Sequence, residues 1–301
     1  MKKILVLFLA SISFFCGAQS FKMNLYPEGQ IPNYKDVGEL EIWDTVDIVR
    51  VSKVQTPDIA VFLPSRKSRS GEAVIICPGG GYHILAYDWE GEDIAKFWNS
   101  KGVVAIVLKY RLPRSEAQIE PHKSPLLDAQ RAMRMVRYHA EEWGIDSSKI
   151  GIMGFSAGGH LASSLSTHFD GGNPDAADPI ERMSCRPDFS ILMYPVISFS
   201  EEFQHSGSRK ALVGDDQELI TYFSSELQVN EFTPPAILIH SSDDKAVPVK
   251  NSIVYYEALI ANGVEAEMHI YPYGGHGFSL APGNGHLATW PDRVYEWLKS
   301  L

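Results

Sequence analysis

The sequence predicts an α/β domain with a mostly parallel central sheet, and three observations carry that prediction. Short, continuous apolar runs recur at 73–77, 103–108, 150–153, 189–194, 236–240 and 266–271, as expected of strands buried on both faces. Helix-length amphipathic segments separate several of them, at 90–100, 124–143 and 249–261. No linker, repeat or low-complexity stretch interrupts the series, so residues 19–301 read as one catalytic domain. Strands alternating with helices mean βαβ units with right-handed crossovers and helices on both faces of the sheet.

Taken in order, Met1-Lys2-Lys3 followed by an apolar run at 4–15 and small residues up to Ala18 has the layout of a secretory signal peptide. Cleavage after Ala18 is expected, leaving a periplasmic or secreted protein. A lipoprotein reading through Cys16 fits less well, because bulky Phe15 precedes it. No later segment reaches transmembrane length. Two alternating segments, 47–54 and 58–64, then read as an antiparallel N-terminal hairpin. The helix 90–100 stops at Lys101-Gly102, and the long helix 124–143 has a serine-proline start and Gly144 after its end. The segment 197–233 is polar and strand-free, either a small lid or a solvent-exposed connection.

The chemistry starts at Gly154-Phe155-Ser156-Ala157-Gly158. A Gly-x-Ser-x-Gly turn between a strand and a helix holds its serine hydroxyl above the carboxyl edge of the sheet. Such a serine needs a base, and the base an orienting acid, in the chain order Ser, Asp or Glu, His. After the strand 236–240 comes Ser241-Ser242-Asp243-Asp244-Lys245-Ala246-Val247-Pro248, where the register Asp-x-x-Val-Pro selects Asp244 over Asp243. After the strand 266–271 comes Gly274-Gly275-His276-Gly277, placing His276 ahead of the more distant His286. His160, on the helix that begins at the serine, is expected to pack below Ser156. The run Pro78-Gly79-Gly80-Gly81-Tyr82-His83 follows a strand upstream, so the N–H groups of Gly80 and Gly81, with that of Ala157, are candidates for an oxyanion hole. Tyr82 and His83 are candidates for substrate contact.

The fragments PGGGYH, LKYRLP, PLLDAQRAMRMVR, GFSAGGHLAS, SSDDKAVP and YGGHGF together resemble the α/β-hydrolase fold. The resemblance is nearest to secreted bacterial carbohydrate acetyl esterases related to the hormone-sensitive-lipase group, with proline replacing the usual histidine before the glycines. It implies hydrolysis of small acyl esters, acetyl above all, on carbohydrates such as xylan, through an acyl-enzyme on Ser156. A feruloyl or other carboxylester hydrolase, and a serine peptidase of the same fold, are the alternative activities. A non-catalytic carbohydrate-binding protein is the alternative class, and it predicts a damaged triad. Glycosidic cleavage calls for two carboxylates facing each other across the bond, a pattern the sequence does not suggest.

Charge narrows the partners. The formal charge is −10, and without Lys2 and Lys3 there remain 25 basic against 37 acidic residues, or −12. With no basic run, nucleic acid and anionic membrane are poor partners, and an ester of a small molecule or oligosaccharide is the expected one. The mechanism requires no metal and no organic cofactor. Cys77 ends an apolar run, where a buried free thiol is the simpler reading than a bridge to Cys185.

Overall fold

The computed structural model describes residues 19–301; the leader 1–18, with the Ala18 cleavage site and Cys16, lies outside the described residues. Eleven strands fall into two sheets among these residues: β1 Gln19–Asn24, β2 Ile42–Asp44, β3 Arg50–Ser52, β4 Asp58–Leu63, β5 Ala73–Cys77, β6 Leu85–Ala86, β7 Val104–Lys109, β8 Ile150–Phe155, β9 Ser190–Met193, β10 Ala236–Ser241 and β11 Ala266–Tyr271. The large sheet runs β1-β4-β7-β5-β8-β9-β10-β11, parallel from β7 to β11 and antiparallel where β4 meets β7 and β1. Strands β5, β7, β8 and β9 are buried at every residue, as their unbroken apolar runs require. Edge strand β11 is only partly covered.

The helices are α1 Asp93–Ser100, α2 Lys123–Tyr138, α3 Ala140–Trp143, α4 Ala157–Thr167, α5 Ser206–Leu212, α6 Gln217–Tyr222, α7 Lys250–Ala261 and α8 Trp290–Ser300. The helix expected at 124–143 breaks at His139, whose ring stacks on Trp143, and ends at Gly144 with φ of 69°. Two of the motif fragments turn out to serve this scaffold. Arg111, just after β7, makes a fully buried pair with Asp128 of α2, through its backbone N–H, Nε and Nη2. Removing one partner of such a pair strands a buried charge, which costs about 3–5 kcal/mol.

The N-terminal strands are antiparallel, but the arms read as a hairpin do not pair with each other. Strand β3 pairs with β2 and β6 in the small sheet, whereas β4 pairs with β1 and β7. Alternation marks a segment as a strand without naming its partner. Strand β4 has both edges occupied in the large sheet, one of them by β1, which lies in a stretch that reads as merely polar. The C-terminal α8 also escaped the sequence reading, although Trp290, Val294, Trp297 and Leu298 bury one face at helical spacing. Cys77 and Cys185 are free and buried. No helix among the described residues is long and apolar enough to cross a membrane.

Candidate active site

Ser156 sits between β8 and α4 with φ of 53° and ψ of −118°, a conformation that a non-glycine residue adopts only when its surroundings enforce it. Here its N–H donates to the Met193 carbonyl, and its own carbonyl accepts from His160 and Val196. The flanking glycines let the chain close up around it. A Cβ on Gly154 would stand 2.0 Å from the Gly158 oxygen, and one on Gly158 would stand 2.1 Å from the Cys77 oxygen.

The three expected partners come together at the carboxyl ends of β8, β10 and β11. His276 Nε2 lies 2.8 Å from Ser156 Oγ, and His276 Nδ1 lies 2.6 Å from Asp244 Oδ2. Asp244 Oδ1 also accepts the N–H groups of Ala246 and Val247, both at 2.9 Å. Burial alone would raise this carboxyl, but hydrogen bonds from His240 and His276, the charge attraction of His276 and the Val247 N–H hold it far below the usual range. It therefore stays ionised. Asp243 points elsewhere, its Oδ1 accepting from the Gly275 N–H at 2.8 Å. His286 takes no part, lying against Tyr271.

Gly80 and Gly81, with φ of 134° and 64°, line a cleft of about 500 Å³ together with Ser156, His276, Trp89, Ile48, Ala86 and His205. No acceptor among the described residues takes the N–H groups of Gly80, Gly81 or Ala157. The substrate-contact expectation for Tyr82 is corrected by the structure. That side chain is 1% exposed and turned into the core, where its hydroxyl meets His160 Nδ1 at 2.8 Å. His83 is exposed beside the glycines, with Nδ1 2.6 Å from the Gly81 carbonyl. His160 is fully buried below Ser156, as expected of it.

Sequence reasoning missed four polar residues around this line. Glu90, in a π-helical turn at Asp88–Glu92, accepts the Gly79 N–H at 2.9 Å and the Tyr194 hydroxyl at 2.8 Å. Tyr194 in turn accepts the Ser279 N–H at 3.0 Å and packs edge-on to the His276 ring. Burial raises the Glu90 carboxyl, opposed by the hydrogen bonds of Tyr194 and Gly79 and by the attraction of His276. His240 is wholly buried, with Nε2 2.9 Å from the Val247 carbonyl and 3.2 Å from Asp244 Oδ2, and Nδ1 2.7 Å from Ser252 Oγ. His205 comes from the segment 197–233, in which α5, α6 and a 3-10 turn at Ser225–Leu227 form. A histidine near the end of a buried strand was the local signal available.

The BD-FAE family model matches residues 59–259. An acetylxylan esterase from Xylanibacter ruminicola is 39% identical over 250 residues, covering 80% of this chain and 47% of that protein. Endo-1,4-beta-xylanase B from Butyrivibrio fibrisolvens is 39% identical over 216 residues, covering 70% of this chain and 33% of that protein. The chain thus spans half or less of the length of these two relatives. The crystal structure of an acetyl ester-xyloside bifunctional hydrolase from Caldicellulosiruptor lactoaceticus superposes with a TM-score of 0.81 at 39% identity, covering 93% of this chain and 96% of that one. An α/β-hydrolase enzyme from a deep-sea metagenome library shares the fold, with a TM-score of 0.66 at 23% identity over 95% of this chain and 98% of that one.

Proposed function

From the premise that the chain belongs to the BD-FAE family, with the α/β-hydrolase fold, we propose that it is a serine esterase releasing small acyl groups, acetyl above all, from carbohydrates such as xylan. The observation that carries this reading is the continuous hydrogen-bonded line from Ser156 Oγ through His276 to Asp244. The names of the acetylxylan esterase and of the acetyl ester-xyloside hydrolase support the substrate class.

His276 Nε2 takes the Ser156 proton as Oγ adds to the ester carbonyl carbon. Asp244, ionised and fixed by two backbone N–H groups, keeps the proton of the resting ring on Nδ1 and stabilises the imidazolium that forms. The N–H groups of Gly80, Gly81 and Ala157 receive the tetrahedral oxyanion, and losing one such donor raises the barrier by about 3 kcal/mol. Collapse breaks the bond to the alcohol oxygen, which leaves with the proton from His276. Water then adds to the acyl-Ser156 ester through the same base, and the acid departs. The residues 1–18, outside the described part, support export to where a polysaccharide is met.

The test is to incubate the protein separately with acetylated and feruloylated xylo-oligosaccharides and identify the acid released. Acetate is expected to appear much faster. Ferulate without acetate would replace this reading with the feruloyl esterase one.

A further inference from the structure

His205 is the one histidine of the segment 197–233 that reaches the cleft, and its tautomer can be assigned. The Ser208 N–H donates to His205 Nδ1 at 3.2 Å, and Ser208 Oγ lies 2.7 Å from the same atom. A nitrogen that accepts a backbone N–H carries no proton, so in the neutral ring the proton is on Nε2. The ring is kept neutral by burial first, then by repulsion from His276 and His83, against attraction to Asp244. No acceptor among the described residues takes the Nε2 proton. The ring edge lies beside the oxyanion glycines, with Cε1 3.9 Å from where a Cβ on Gly81 would be. This is a fixed, neutral donor with an unused hydrogen, on the wall shared with Ser156 and His276.

The chemistry fixes which half of the ester it faces. The departing alcohol oxygen must come within hydrogen-bond reach of His276 Nε2, because that atom supplies its proton. The alcohol half therefore lies beside His276, in the cleft that His205 also lines. Ile48, Ala86 and Trp89 give the cleft an apolar patch suited to a methyl group, although Asp47 and Glu90 also line it. We propose that His205 recognises the alcohol half of the substrate, its Nε2–H donating to a sugar oxygen next to the esterified one. The inference rests on the carbohydrate esterase reading and deepens it, making His205 a specificity residue. Aryl acetates carry no such oxygen.

The experiment compares kcat/KM for acetylated xylo-oligosaccharide with kcat/KM for p-nitrophenyl acetate in the full chain. His205→Asn keeps an oxygen that can cap the Ser208 N–H but is too short to put a donor where Nε2 stands. His205→Gln restores length and a donor. For His205→Asn the ratio of oligosaccharide to aryl ester is expected to fall about tenfold, chiefly through KM, as for the loss of one neutral hydrogen bond. His205→Gln is expected to recover part of it. A folding defect lowers both substrates alike and leaves the ratio unchanged. An unchanged ratio overturns the inference, whatever the absolute rates. A wild-type protein that cleaves p-nitrophenyl acetate but not the acetylated oligosaccharide overturns the carbohydrate reading, and this inference with it.

Discussion

The catalytic line and the polar assembly behind it are built from the same kinds of groups but held in different ways. Ser156, His276 and Asp244 stand on three loops at strand ends, and the His276 side chain is 25% exposed, within reach of a substrate. Glu90 and Tyr194 are buried, and their hydrogen bonds tie the glycine loop at Gly79 to the loop that carries His276 at Ser279. Asp244 shows the contrast within one carboxylate. Its Oδ2 meets part-exposed His276 at 2.6 Å and enclosed His240 at 3.2 Å. The difference is one of access: the His276 ring opens on the cleft, whereas Glu90 and Tyr194 are enclosed and hold two loops at a set spacing.

Breaking the line of Ser156, His276 and Asp244 is expected to have the largest effect. Asp244→Asn removes the charge that stabilises the imidazolium and the acceptor that sets the His276 tautomer. On p-nitrophenyl acetate, kcat should fall on the order of 10⁴-fold. A fall of less than tenfold would mean that Asp244 does not orient the base. The buried assembly should matter less, and differently. Glu90→Gln leaves one acceptor for two donors, Gly79 N–H and Tyr194 hydroxyl, so the oxyanion loop shifts. The expected result is a fall in kcat on the order of 10–100-fold with KM nearly unchanged, since the donors act on the transition state. A rise in KM alone would instead make Glu90 part of substrate binding.

The next effect is on stability. Burial lowers the His160 pKa to about 4 from an ordinary 6.5, with the hydrogen bond to Phe223 opposing and His168 adding to the fall. The unfolded chain therefore takes up the proton first as pH drops. The stabilisation from a neutral His160 is complete above 6.5 and is lost as pH falls towards 4, with about 3 kcal/mol at stake. Measured between these pH values, Tm should decline less steeply in His160→Gln than in the wild type; parallel curves would contradict the assignment. Asp243→Asn should do least, because Asp243 contacts the backbone N–H of Gly275 and not the imidazole. A change in kcat/KM of no more than about threefold is expected, and a loss matching that of Asp244→Asn would reverse the choice between the two acids.

What could be read from the sequence follows the same contrast. Ser156, Asp244 and His276 were legible because each lies in a short motif at a strand end, where glycine or proline marks the turn. The parallel strands were legible as unbroken apolar runs. Glu90 and Tyr194 were not, since they lie 104 residues apart, and nothing local separates Glu90 from its acidic neighbours Asp88, Glu92 and Asp93 or Tyr194 from the apolar strand it follows. His205 was hidden because the segment 197–233 shows no periodicity that would aim one side chain at the cleft. Tyr82 misled because it follows the oxyanion glycines directly, yet its positive φ of 63° turns the chain and its ring is buried against Tyr110 and His160. Pairing of β4 with β1 and β7 depends on contacts between distant segments, which alternation within one segment does not encode.

In the proposed mechanism Ser156 carries the acyl group between the two half-reactions. Rapid acid quenching of the protein during p-nitrophenyl acetate turnover, followed by peptide mass spectrometry, tests it directly. An acetyl group is expected on Ser156 and is expected to be absent from Ser156→Ala, which should also lose turnover. Turnover that persists in Ser156→Ala, or an acetyl adduct that maps to another residue, would contradict it.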